Sequence, residues 1–138
     1  MIKLGFDKIT RQLSRLRLPP FDIVIGIAHG GMVPASLVAY HLGCDVKFVF
    51  LNYRDQNNNP RHEEPVLLED FTLPKEYKSI LLVDDVSVSG KTLNTARMLL
   101  TDYQVKTLVL VGQADYVVFS DIHMCVNWPW KTLEKDKW

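Results

Sequence analysis

Asp84 and Asp85 are adjacent carboxylates directly after an apolar run, Ile80-Leu81-Leu82-Val83. Ser87, Val88, Ser89, Gly90, Lys91 and Thr92 follow them. Four consecutive apolar residues predict a strand over 79–84, buried on both faces, with the carboxylates where it ends. The hydroxyl-rich turn with Gly90 predicts a helix beginning near Lys91. A turn of this kind aims backbone N–H groups and the positive end of a helix dipole at an anion. Carboxylates at its mouth accept hydrogen bonds from a sugar diol or hold hydrated Mg²⁺. A ligand that is both anion and diol is a phosphorylated sugar. Two other uses of these residues fail. A P-loop ending in Ser89-Gly90-Lys91-Thr92 needs glycine where Asp85 stands. A receiver domain starting at Leu81 needs more strand–helix units than the chain after Asp85 can supply.

The stretch 80–92 resembles the ribose-phosphate signature of the type I phosphoribosyltransferases, which join a nitrogenous base to 5-phosphoribosyl 1-pyrophosphate and release pyrophosphate. Residues 25–35, Ile-Gly-Ile-Ala-His-Gly-Gly-Met-Val-Pro-Ala, resemble that family's pyrophosphate loop and the helix after it. Val126-Asn127-Trp128-Pro129-Trp130 resembles the C-terminal segment of the short bacterial and archaeal xanthine/hypoxanthine enzymes. The segments stand in family order and span most of residues 22–131.

The resemblance implies an α/β domain over 1–138, a mostly parallel sheet flanked by helices, with a small C-terminal hood. It implies that Asp84 and Asp85 hold the ribose hydroxyls, directly or through Mg²⁺. Backbone amides of Ser87, Val88, Ser89, Gly90, Lys91 and Thr92 would cradle the 5-phosphate. The loop Ala28-His29-Gly30-Gly31 would offer amides to pyrophosphate, with glycine allowing close approach. The polar stretch 54–64 resembles the family's mobile flap, from which Arg54, Arg61 and His62 would meet pyrophosphate. A loop without that role fits those side chains equally well.

Four positions depart from the xanthine/hypoxanthine pattern. Val88 stands where an Asp usually serves as general acid or base, and valine moves no proton. Gln113 takes the place of the lysine that recognises a purine 6-oxo group. Cys125, beside Val126, takes the place of the aromatic residue that stacks on the base. His29 replaces an arginine in the pyrophosphate loop, so its charge depends on pH. The ribose-phosphate cradle is thus retained and the base-recognition equipment altered. Two functions follow: a phosphoribosyltransferase with changed base preference, and a non-catalytic or regulatory binder of ribose phosphates.

The elements that must position these residues are legible as patterns. Phe6, Ile9, Leu13 and Leu16 recur at helical spacing over 5–17, and Pro19-Pro20 ends that helix. A strand is predicted over 22–28, a helix over 32–42 stopped by Gly43, and a strand over 46–51. Short strands are predicted over 66–68 and 124–126, with a longer one over 108–111. The helix after Gly90 reaches Leu100 and should bury Leu93, Ala96, Leu99 and Leu100. Strands alternating with helices argue a parallel sheet covered on both faces, with ligands beyond the strands' carboxyl ends.

Composition narrows the class. The chain has 138 residues, 16 Lys and Arg against 16 Asp and Glu, so its total charge invites neither nucleic acid nor an anionic membrane. Cys44 and Cys125 are too few and too far apart for a disulfide framework or metal spacing. The sequence shows no signal peptide pattern and no membrane-spanning apolar run, so cytoplasmic residence is the expectation. Small-molecule substrates are the expected partners. Trp128, Trp130 and Trp138 crowd the C-terminus, suited either to a lid over the core or to an interface in a homo-oligomer.

Overall fold

In the computed structural model, residues 2–52 and 66–131 are described. The 54–64 loop, with Arg54, Arg61 and His62, lies outside them, as does Trp138. Among the described residues no helix is long and apolar enough to cross a membrane.

The apolar run Ile23-Val24-Ile25 becomes the centre of the sheet. It lies in β2 (Ile23–Ala28), every residue of which is buried. β2 pairs in parallel with β3 (Asp45–Asn52) on one side and β5 (Ser79–Ser87) on the other. β6 (Gln104–Gly112) pairs in parallel with β5, and β7 (Tyr116–Val117) with β6. β4 (Val66–Leu67) closes the other edge, antiparallel to β3. The spatial order is β4-β3-β2-β5-β6-β7. A second, two-stranded sheet joins β1 (Ile2–Lys3) to β8 (Val126–Asn127), again in parallel.

Side-chain alternation along the strands sends residues to two apolar layers. Val24, Leu81, Val83, Leu108 and Leu110 meet Ala35, Val38 and Ala39 of helix α2 (Met32–Leu42) and Ile9 and Leu13 of α1 (Phe6–Arg15). Ile23, Ile25, Ile27, Ile80 and Leu82 meet Leu93 and Ala96 of α3 (Lys91–Met98), and Leu100 just beyond it. Gly43 ends α2 with φ 70°, a left-handed turn that glycine takes without steric cost. Gly26 keeps α2 close to the sheet, because a Cβ there would lie 2.6 Å from that of Ala35.

The patterns erred at several boundaries. The motif strand does not stop at Asp84 but runs on to Ser87, so both carboxylates lie inside it. Its extension is held by pairing with β6 up to Ser87 against Gly112, a partner that lies outside the local sequence. α1 ends at Arg15, leaving Leu16 in extended backbone as its C-cap. Phe6 is 48% exposed, though its ring lies 6.0 Å from that of Trp130. Leu99, the C-cap of α3, is exposed rather than buried, while Leu100 just beyond it is buried as expected. The last strand falls on 126–127, not 124–126, in register with β1, which the patterning missed. Trp128 is buried and stacks on Trp130, centroids 5.3 Å apart and ring planes nearly parallel.

Candidate active site

The chain leaves β2 toward β3 on one side, while β5 leads through α3 to β6 on the other. This reversal makes the carboxyl ends of β2 and β5 the switch point of the sheet, where a crevice opens. The loop after β2 carries His29, Gly30 and Gly31, and the turn after β5 carries Val88, Ser89 and Gly90. Sequence reasoning assigned both loops to a common rim, and the topology gives the reason.

The β2 loop packs against β5 itself through glycine. A Cβ on Gly30 would lie 2.6 Å from Oδ2 of Asp85, and one on Gly31 would lie 2.6 Å from the Val83 carbonyl. Only hydrogen fits at either place. The Ala28–His29 peptide bond is cis. The Gly31 N–H donates to the Ile27 carbonyl at 2.7 Å, and the Met32 N–H to that of His29 at 3.1 Å. Gly31 therefore does not offer its amide outward as the sequence suggested, and the amides of His29 and Gly30 remain the loop's candidates. The exposed His29 ring rests edge-on against Phe50 of β3, centroids 5.8 Å apart.

Both carboxylates are buried, Asp84 at 8% exposure and Asp85 at 5%. Strand alternation starts Asp84 on the α3 side and Asp85 on the α2 side, so they are not equivalent ligands. Oδ1 of Asp84 accepts the Asp85 N–H, and Oδ1 of Asp85 accepts the Val86 N–H, both at 2.8 Å. Among the described residues Oδ2 of Asp85 accepts no hydrogen bond of good geometry, yet the Lys131 ammonium lies 2.5 Å from it. Lys131 ends a 3₁₀ turn, Pro129–Lys131, and sequence reasoning missed it. The available signal was a basic residue directly after Trp128-Pro129-Trp130.

Burial, followed by the charge of Asp85, pushes the Asp84 carboxyl well above the usual carboxylate range. A raised native value means that the folded state binds a proton more tightly than the unfolded chain. The associated stability is fully present below the unfolded value and is lost as pH rises through the native one. We expect Asp84→Asn to raise the melting temperature of the ligand-free protein near neutral pH by a few degrees. The gain should shrink as the buffer is acidified toward the ordinary carboxylate range. A thermal melt series across pH checks this, and an Asn variant less stable at neutral pH would contradict it.

The β5–α3 turn has the form of an anion cradle. Gly90 caps α3 with φ 81°, and the first helical hydrogen bond runs from Asn94 N–H to Gly90 O at 2.9 Å. The amides of Lys91, Thr92 and Leu93 thus precede the helical ladder. The Lys91 N–H donates to the Ser89 hydroxyl oxygen at 3.3 Å. Ser87 is buried at the end of β5, whereas Val88 is 78% exposed at the rim.

Gln113 joins this rim, its N–H donating to the Ser87 carbonyl at 3.0 Å. It also lines a groove of about 360 Å³ with Ser89, Asn94, Arg97 and Asp115. Val88 and Gln113 are therefore neighbours across two strand ends. Cys125 is exposed in the hood, its carbonyl accepting the Ile2 N–H at 3.2 Å, and Val126 beside it starts β8. Among the described contacts none ties Cys125 to the β5–α3 turn.

Among the described residues no three His, Cys, Asp or Glu side chains group to hold a metal ion by themselves. Two buried carboxylates are nonetheless the oxygen donors Mg²⁺ favours, and a sugar diol and water would complete its shell. The residues fit such an ion in company with a ligand.

The sequence profile of the phosphoribosyl transferase domain matches residues 3–132. The chain belongs to this family. Among curated relatives of this phosphoribosyl transferase domain, the xanthine-guanine phosphoribosyltransferase of Idiomarina loihiensis is 26% identical over 92 residues. That match covers 65% of this chain and 56% of the relative. The transcriptional regulator GfcR of Methanocella arvoryzae is 29% identical over 83 residues, 59% of this chain and 40% of that protein. The chain thus spans about half the length of the curated relatives it matches. The crystal structure of a purine phosphoribosyltransferase from Pyrococcus horikoshii superposes with a TM-score of 0.76. It shares 24% identity and covers 96% of this chain and 95% of that one, which is a likeness of fold.

Proposed function

We propose that this phosphoribosyl transferase domain binds 5-phosphoribosyl 1-pyrophosphate and transfers its ribosyl phosphate to a base other than the common 6-oxopurines. The observation that supports this reading is the close approach of Gly30 to the Asp85 carboxylate, which fits a pyrophosphate-binding loop lying beside a ribose-binding carboxylate. The amides before the α3 ladder take the 5-phosphate, aided by the hydroxyls of Ser89 and Thr92. Asp84 and Asp85 hold the ribose hydroxyls, and His29 and Gly30 turn their amides to the pyrophosphate. Fixing the ligand at three places orients C1 for attack by the base, and donors at the leaving group take up its developing charge. Bound Mg²⁺ would supply further neutralisation of the diol-linked oxygens and pyrophosphate.

No proton-transfer side chain stands at Val88, and Gln113 offers a neutral amide where a charged donor would grip a 6-oxo group. Hypoxanthine, guanine and xanthine should therefore be poor substrates, with turnover about 10²–10⁴-fold below that of an enzyme with acid–base help. Pyrophosphate release measured over a panel of bases tests this. Val88→Asp, Gln113→Lys and Cys125→Trp together should raise purine turnover. Efficient use of these purines by the unmodified protein would refute the base assignment.

A second reading, a regulatory ribose-phosphate binder, is favoured by the same exposed Val88 and by the relationship to a transcriptional regulator. It predicts binding of the ribose ligand without pyrophosphate release on any base.

A further inference from the structure

Asp85 is a buried carboxylate that already has a cation. Its side chain is 8% exposed, and the Lys131 ammonium lies 2.5 Å from Oδ2, an oxygen that accepts no hydrogen bond of good geometry among the described residues. Oδ1 is taken by the Val86 N–H. Gly30 packs against the same carboxylate, where a Cβ would lie 2.6 Å from Oδ2, so no larger residue fits between loop and Asp85. The lysine arrives from the hood on an ordered turn. Its own N–H donates to the Trp128 carbonyl at 3.1 Å, while Trp128 and Trp130 stack beside it.

We propose that Lys131 is a resident cation of the ribose site: it holds the position at Oδ2 of Asp85 that a divalent ion would take, and so sets the site's demand for metal. The inference rests on reading Asp84 and Asp85 as diol and metal ligands, and it adds the residue that competes for them. An ammonium at that distance and a hydrated divalent ion cannot share one oxygen, because two cations would meet at short range in a poorly solvated site. Metal enters only when Lys131 leaves. Lys131 can leave, since its side chain is 52% exposed and its four-carbon stem is flexible. The C-terminal turn is thereby coupled to occupancy of the ribose site. A divalent ion releases the lysine to solvent, and a weakly metalated site keeps the turn docked.

Mn²⁺, which favours the same oxygen ligands and is visible by electron paramagnetic resonance, is the probe. Ligand-free full chain is titrated near neutral pH as wild type, Lys131→Gln, Lys131→Arg, and Lys131→Gln with Asp85→Asn. Lys131→Gln should bind Mn²⁺ roughly 10–100-fold more tightly than wild type, the range over which a neighbour of a metal ligand tunes affinity. Lys131→Arg should stay close to wild type, and Asp85→Asn should abolish the gain. A folded Lys131→Gln variant that binds Mn²⁺ no better than wild type overturns the proposal. If that variant does not fold, the double variant decides. Rescue of folding by Asp85→Asn supports a cation held against a buried charge, and failure of both overturns it. Phosphoribosyl pyrophosphate added with Mn²⁺ separates the two readings. If it shifts the melting temperature of neither wild type nor variant while the Mn²⁺ result holds, the ribose-phosphate assignment fails and the competition at Asp85 stands.

Discussion

Asp84→Asn with Asp85→Asn is expected to remove most of the stabilisation that phosphoribosyl pyrophosphate and Mg²⁺ give the wild-type protein. A ligand that binds only the native state at a hundredfold excess over Kd adds about 2.7 kcal/mol of stability. For a domain of this size that is roughly 10 °C in melting temperature. The two asparagines keep the shape of the site but offer half the acceptor oxygens and no charge for a metal or a diol. The comparison must be made between ligand-induced shifts, because Asp84→Asn also changes the stability of the ligand-free protein. A double variant whose shift equals that of wild type would show that these carboxylates touch neither sugar nor metal.

Gly112→Ala should be the most damaging single change to the rim. Gly112 has φ 115°, a conformation that L side chains rarely adopt, and a Cβ there would lie 2.0 Å from the Ser87 carbonyl oxygen. The obstacle is backbone, so no rotamer change relieves it. Overpacking of this kind costs about 1–3 kcal/mol, and a left-handed alanine adds roughly 1–2 kcal/mol. The strand ends would also part, since Gly112 pairs with Ser87 and the Gln113 N–H donates to the Ser87 carbonyl. The cradle begins at Ser87. The variant should therefore lose ligand response beyond what its lower melting temperature explains. An alanine variant with wild-type stability and wild-type ligand shift would mean that β5 and β6 do not meet as described.

Much of this was legible locally. The buried strands at Ile23–Ala28 and Ile80–Val83, the helix stopped by Gly43, and the helix starting after Gly90 are each set by short-range causes: apolar runs, a left-handed stop and a helix cap. The same local chemistry marked Asp84 and Asp85 as carboxylates before an anion-binding turn, and the motifs around them led to the family that the chain proved to belong to. What depended on distant partners was not legible. β5 continues to Ser87 because β6 pairs with it there, and that pairing puts the two carboxylates inside a strand rather than at its end. The Gly31 amide turned inward, to Ile27. Lys131 meets Asp85 because β1 and β8 pair and the tryptophan stack orders the turn that carries it. The sequence alone determined which groups could bind a sugar phosphate, since residue type and spacing fix chemistry within a turn. Only the tertiary structure decided which of those groups are hydrogen-bonded within the protein and which cation stands at Asp85, because both depend on how the chain packs beyond each local motif.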